Sequence, residues 1–162
     1  MGDVLQVFAI QKWELSQSQV VSLFSGVAVS GVLANISGGA LIKRLGIRRF
    51  NLIASICSII FWGGFASASL KAAVVCAVLG FLGQARTLSA TTMMTSEGAR
   101  LGIPQGQLSG DRANMIAWLK ILGPLVYGQL AAHGSTIGAP TAPFCLNVLL
   151  ALTSAVLGMF VL

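Results

Sequence analysis

The sequence predicts an all-α fold, a bundle of helices that crosses a membrane several times. Hydrophobic residues make up 56% of the 162-residue chain and charged residues only 9%. Soluble domains usually carry about a quarter charged residues, so this balance indicates lipid as the main solvent. Three uncharged runs reach the length of about 20 residues that a helix needs to cross the hydrocarbon core. These runs are 20–42, 50–70 and 142–162.

Two further segments are predicted to cross the membrane although each contains a cation. Residues 72–96 are uncharged apart from Arg86, and residues 113–132 are uncharged apart from Lys120. Such runs could be core helices of a soluble protein, but beside three long apolar runs they are more typical of membrane helices. The sequence therefore predicts a single transmembrane domain with five full spans. Residues 1–19 are interpreted as the remainder of a preceding helix and a short loop.

The first full span begins and continues with local helix signals. Ser16 followed three residues later by Gln19 predicts a capping box at its start. Within the span, small residues recur at every fourth position and predict a stripe that a neighbouring helix can approach closely. The stripe consists of Gly26, Ser30, Ala34 and Gly38.

The distribution of cations predicts the orientation of the bundle. If the loop Lys43–Arg49 is cytoplasmic, alternation of five spans places the loop that contains Arg100 and Arg112 on the same side. Six cations then lie inside, and Lys12 and Lys71 lie outside. This bias agrees with the positive-inside rule and predicts a cytoplasmic C-terminus. The membrane itself is not specified.

Several functional classes are excluded by composition and motifs. The sequence pI near 9.9 comes from clustered cations without an interleaved aromatic pattern, so nucleic acid is not an expected partner. No catalytic constellation or phosphate-binding glycine loop is present, so an enzyme is not expected. Neither a cofactor nor a metal site is expected, and the three cysteines are interpreted as small apolar residues of separate spans. The expected surroundings are a lipid bilayer.

The loop after the first full span reads GGALIKRLGIRRF, Gly38 to Phe50. It resembles the G-x-L-x-D-R-x-G-R-R motif of the major facilitator superfamily of secondary transporters. The matching residues are Gly39, Leu41, Arg44, Gly46, Arg48 and Arg49. In that family the loop latches two helical bundles on the cytoplasmic side. Lys43 replaces the family's Asp and Ile47 its first Arg after the second glycine, which argues against a full charge relay here.

A second stretch, Gly102 to Leu130, is similar to the loop and eleventh helix of the same superfamily. The residues that carry this likeness are Gly102, Gly106, Gly123, Pro124 and Gly128, and residues 142–152 resemble the start of the twelfth helix. The resemblance implies the end of helix seven and helices eight to twelve of a transporter that moves a small solute by alternating access. An N-terminal half is then expected on the same or another chain. The alternative is a non-transporting membrane scaffold or accessory subunit.

The polar residues of the spans are the candidate substrate-cavity residues. The resemblance places Arg86 in the tenth helix, which lines the cavity, so Arg86 is a candidate anion-binding or gating residue; the alternative is that it reaches the membrane interface. Lys120 either lines the cavity, pairs with an acid on a missing helix, or reaches the interface. Asn35, Gln84 and Asn114 are candidates for the cavity or for hydrogen bonds between helices. Gly123, Pro124 and Gly128 predict either a hinge or a static kink.

Overall fold

The computed structural model describes residues 2–67 and 69–160. Over these residues the chain forms α-helices and one 3₁₀ segment and no β-strand, so the predicted all-helical class is confirmed. The 3₁₀ segment is Phe81–Ala85. The helices are α1 (Gly2–Trp13), α2 (Gln17–Leu45), α3 (Ile47–Ala66), α4 (Leu70–Leu79), α5 (Arg86–Arg100), α6 (Gln105–Thr136) and α7 (Ala142–Phe160).

Helix length and composition give three to four candidate membrane spans rather than five full ones. Within the described residues, α2, α3 and α6 are long and apolar enough to cross a membrane. The pair α4 and α5 is a fourth candidate, although its two halves are bent by 62°. Helix α7 is apolar but shorter, over Ala142–Gly158, and residues 161 and 162 of the predicted fifth span lie outside the described residues. These helices are compatible with a multi-pass membrane protein.

The ends of α2 follow the signals in its sequence. The Gln19 N–H donates to Ser16 Oγ at 3.4 Å and the Ser16 N–H to Gln19 Oε1 at 2.9 Å, so the predicted capping box is present. Gly46 ends the helix with a φ of 79°, a backbone conformation that glycine adopts without steric cost. Because Gly46 is also the N-cap of α3, the turn between two long helices is a single residue.

Helix α3 is the central element, and two clusters of buried side chains lie along it. One cluster is aromatic and joins Phe61 and Phe65 to Phe8 of α1 and Phe144 of α7. The other joins Phe50 and Ala54 to Ala34 of α2 and to Ala85. In lipid, burial of such residues adds packing contacts rather than a hydrophobic driving force, so close complementarity has to hold the bundle together.

The two clusters mark opposite ends of the bundle. The aromatic cluster also contains Ala73 of α4, so α4 begins beside the C-terminal end of α3. At the other end, Asn51 of α3 and Glu97 of α5 line one cavity, so α5 finishes beside the start of α3. The bent pair α4 and α5 therefore runs the length of α3 in the opposite direction. This course favours a broken span over a re-entrant loop, the two arrangements that a bent pair of helices allows.

Two glycines at the break in the predicted span 72–96 lie directly against the backbone of α3. A Cβ atom at Gly80 would lie 2.5 Å from the carbonyl oxygen of Cys57, and one at Gly83 would lie 2.5 Å from the backbone nitrogen of Ser58. Backbone therefore packs on backbone, closer than any side chain allows. A single continuous helix was predicted, and the structure instead has α4, the 3₁₀ segment and α5.

The small-residue stripe of α2 is packed along half of its length. Ala34 and Gly38 are buried, and a Cβ at Gly38 would lie 3.1 Å from both Ala85 Cβ and Phe50 Cζ. A Cβ at Gly26 would meet no atom of another helix within 4 Å, and Gly26 and Ser30 line a crevice of about 280 Å³ between α2 and α4. Only the C-terminal half of this stripe is therefore a helix contact among the described residues.

Candidate functional site

Arg86 lies at the break of the discontinuous span. It is the first residue of α5, it is partly buried, and its carbonyl oxygen accepts a hydrogen bond from Ser89 Oγ at 2.9 Å. Its guanidinium is within electrostatic range of the Tyr127 phenol of α6. Gln84 precedes it in the 3₁₀ segment and is also partly buried. Two polar side chains, the guanidinium of Arg86 and the amide of Gln84, are therefore partly buried at the break in the span.

Tyr127 connects α6 to α7 near this cation. Its hydroxyl donates to Asn147 Oδ1 at 2.7 Å, and Asn147 Nδ2 donates to the Pro143 carbonyl oxygen at 3.3 Å. Asn147 was not singled out in the sequence analysis. The signal was available, because a polar side chain on each of two predicted neighbouring spans is what an interhelical hydrogen bond requires.

Lys120 occupies the middle of an uncovered helix. It follows 15 of the 32 residues of α6, it is exposed, and no residue in the most apolar window of α6 is buried. Lys120 and Tyr127 are seven residues apart, which places them two turns apart on the same face. Among the described residues the one ion pair joins Arg100 Nε and Glu97 Oε2 at 2.7 Å, so Lys120 has no acidic partner there.

The other two polar candidates are not brought to Arg86. Asn35 is exposed and donates to the Gly31 carbonyl oxygen of its own helix at 2.9 Å, which satisfies its amide locally. Asn114 is exposed near the start of α6. Asn114 and Lys120 are six residues apart, so they lie on different faces of the helix.

The loop motif forms a compact cationic end of the bundle. Gly39 and Leu41 are partly buried on α2, whereas Arg44, Arg48 and Arg49 are exposed. Lys43 and Arg44 lie in the last turn of α2, where cations interact favourably with the helix dipole. Arg48 and Arg49 lie in the first turn of α3, where the helix dipole disfavours positive charge. The cluster therefore carries an excess of positive charge that no described acid neutralises.

The predicted kink in α6 leaves the helix unbroken. Pro124 lies inside α6, which continues to Thr136, and a Cβ at Gly123 or Gly128 would meet no atom of another helix within 4 Å. These two glycines therefore do not serve helix packing within the described bundle. Their place on an uncovered helix is compatible with either a hinge or a kink.

A buried polar group on α3 was missed by the sequence interpretation. Asn51, Ser55 and Ser58 are all buried and lie on one face at spacings of four and three residues. The single hydroxyl proton of Ser89 on α5 is shared between Asn51 Oδ1, at 2.8 Å, and the Arg86 carbonyl oxygen, at 2.9 Å. Ser55 Oγ is fully buried and has no hydrogen-bond partner among the described residues. The spacing was visible in the sequence, but the partner helix was not.

A cavity of about 600 Å³ lies beside this group and is lined by residues of α3, α5 and α7. We name it the α5–α7 groove. Its walls are mostly apolar, with Asn51 and Glu97 at the end nearest the cationic loop and two further polar residues, Thr153 and Ser154, along α7. It is lined by Asn51, Ala90, Met93, Met94, Glu97, Leu150, Thr153, Ser154, Leu157 and Gly158.

The candidate site residues include two cations within the predicted spans, Arg86 and Lys120. Among the described residues, no group of His, Cys, Asp or Glu side chains could hold a metal ion. Comparison of the chain with protein-family models, with curated proteins and with solved structures finds no match. The resemblance to the major facilitator superfamily therefore depends on the loop and helix motifs of the sequence itself.

Proposed function

We propose that the chain is the C-terminal part of a secondary transporter of the major facilitator type, which moves a small solute by alternating access. The second bundle of helices is supplied by the same chain or by another one. The observation that carries this proposal is the position of Lys120, a cation in the middle of an uncovered apolar helix.

The energetic cost of such a position argues for a protein or water environment. A lysine at the centre of a membrane helix costs about 2.5–3.5 kcal/mol on insertion scales, so facing lipid is unfavourable. The described bundle provides no acid for it. A water-filled cavity, or an acid on a second bundle, would remove this cost.

The position of Arg86 supports the same interpretation. Arg86 is within electrostatic range of Tyr127, and Tyr127 lies on the same face of α6 as Lys120, two turns away. Arg86 also starts the second half of a broken span, and discontinuous helices commonly form solute sites near the membrane midplane. We therefore assign Arg86 and Lys120 to the wall of the solute cavity, with Gln84 beside Arg86.

A site-directed labelling experiment tests the proposal without knowledge of the solute. Cys57, Cys76 and Cys145 are replaced, Lys120→Cys is introduced, and a membrane-impermeant maleimide is applied to membranes of either orientation. Alternating access predicts labelling from both sides, because a cavity residue faces each aqueous compartment in turn.

The matched control is Trp118→Cys. Trp118 is 65% exposed and lies two residues away, on the opposite side of α6. It is expected to face lipid and to react from neither side. Equal protection of positions 118 and 120 from both sides would contradict transport and favour the scaffold alternative.

A further inference from the structure

The α5–α7 groove adjoins the cationic end of the bundle. Its polar end contains Asn51, and Arg48 lies one turn before Asn51 on α3. Arg100 lies one turn beyond Glu97 on α5 and is 74% exposed. An apolar groove of this kind, with cations at one mouth, has the charge pattern of a site for an anionic amphiphile.

The chemistry of the groove changes along its length. Nearest the cations, the Asn51 amide is held by the hydrogen bond from Ser89 to its Oδ1, which leaves its Nδ2 group available to donate. Further along, the groove is lined by Met93 and Met94 of α5 and by Leu150 and Ser154 of α7. The Thr153 hydroxyl donates to its own helix at 2.8 Å, so it adds no unsatisfied polar group to the wall. The order is therefore cation, hydrogen-bond donor, apolar wall.

This order matches the phosphate, ester and acyl layers of a phospholipid. We infer that the α5–α7 groove binds an anionic phospholipid, with its phosphate at Arg48 and Arg100, its ester oxygens at Asn51 and one acyl chain between α5 and α7. Binding of this lipid does not depend on transport, so it stands or fails separately from the proposed function.

Substitution of Glu97 distinguishes an anionic lipid in the groove from a cationic amphiphile. The Glu97 carboxylate lines the groove and also pairs with Arg100, so it competes with a phosphate for that guanidinium. Glu97→Gln removes the competitor, and retention of an anionic lipid is expected to rise. A cationic amphiphile would respond in the opposite direction, because it would lose its counter-charge.

The test uses the full chain, purified in detergent, exposed to equal amounts of phosphatidylglycerol and phosphatidylcholine, washed, and examined by native mass spectrometry. The expected result is a preference of about fivefold for phosphatidylglycerol, from the attraction of one cation to an anionic headgroup. Arg48→Gln is expected to remove most of this preference. Arg44→Gln removes the same charge from α2, a helix that contributes no residue to the lining of the groove, and is expected to keep this preference.

A pair of substitutions on α7 tests whether the groove itself holds the acyl chain. Ser154→Trp fills the groove, whereas Val156→Trp adds the same side chain at a half-exposed position outside it. Ser154→Trp is expected to abolish lipid retention and Val156→Trp to keep it. If Ser154→Trp does not fold, the variants Arg48→Gln, Arg44→Gln and Glu97→Gln still test the inference, because they change exposed or half-exposed side chains and leave the core unchanged.

Three results would overturn the inference. The first is no preference for phosphatidylglycerol in the wild-type chain. The second is equal retention by a folded Ser154→Trp and by Val156→Trp. The third is lower anionic-lipid retention in Glu97→Gln, which would indicate a cationic occupant instead.

Discussion

Two buried polar side chains on α3, Asn51 and Ser55, differ in whether they have a hydrogen-bond partner. Asn51 has a partner on another helix, Ser89, at 2.8 Å. Ser55 is equally buried, yet its hydroxyl has no partner among the described residues. A buried hydroxyl without a hydrogen bond costs free energy, whereas a satisfied pair contributes modestly to helix association. Similar residues one turn apart therefore have opposite effects on stability.

The prediction at this scale compares Asn51→Ala with Ser55→Ala. Asn51→Ala removes the interhelical hydrogen bond and is expected to lower the free energy of unfolding by roughly 0.6–1.7 kcal/mol. Ser55→Ala is expected to leave that free energy unchanged or to raise it, because it removes an unsatisfied group. Denaturant unfolding of the purified chain in detergent, followed by circular dichroism, measures both. A larger loss for Ser55→Ala would show that its hydroxyl has a partner in the folded protein.

The break in the discontinuous span could be predicted only in part from the sequence. Arg86 divides the predicted span 72–96 in the sequence, and that interruption was visible without a structure. The position of the break was not, because it depends on Gly80 and Gly83 meeting the backbone of α3. Glycines are frequent in this chain, and a glycine in close contact looks the same in sequence as Gly63, where a Cβ would meet no atom of another helix within 4 Å.

The prediction for this element compares Gly83→Ala with Gly63→Ala. The added methyl group at position 83 meets Ser58 backbone atoms at 2.5 and 2.6 Å and is expected to cost about 1–3 kcal/mol through overpacking. At position 63, inside α3, the same change meets open space and is expected to stabilise the helix by about 0.5–1 kcal/mol. Both are measured by the same unfolding assay. Equal effects at the two positions would mean that the break does not rest on α3.

The two ends of the molecule differ in chemistry. The cationic loop, the end of α5 and the polar mouth of the α5–α7 groove share one end, and the aromatic cluster of α1, α3, α4 and α7 occupies the other. The all-helical class and the long apolar helices could be predicted, because hydropathy and length decide them in lipid. The groove and the Asn51–Ser89 pair could not, because each requires knowing which helices become neighbours. The cavity role of Arg86 and Lys120 stays a prediction.

Whether the bent pair α4 and α5 crosses the membrane decides the arrangement of the whole molecule. Side-specific labelling of Arg49→Cys, Leu101→Cys and Ser135→Cys, each in a background without native cysteines, measures it directly. Arg49 belongs to the cationic loop, Leu101 directly follows α5 and Ser135 lies in the last turn of α6, and all three residues are exposed. If the pair is one broken span, positions 49 and 101 react from the same side, predicted to be cytoplasmic, and position 135 reacts from the other. If positions 49 and 135 instead share a side and position 101 is opposite, the pair is a re-entrant loop and the account of the bundle is wrong.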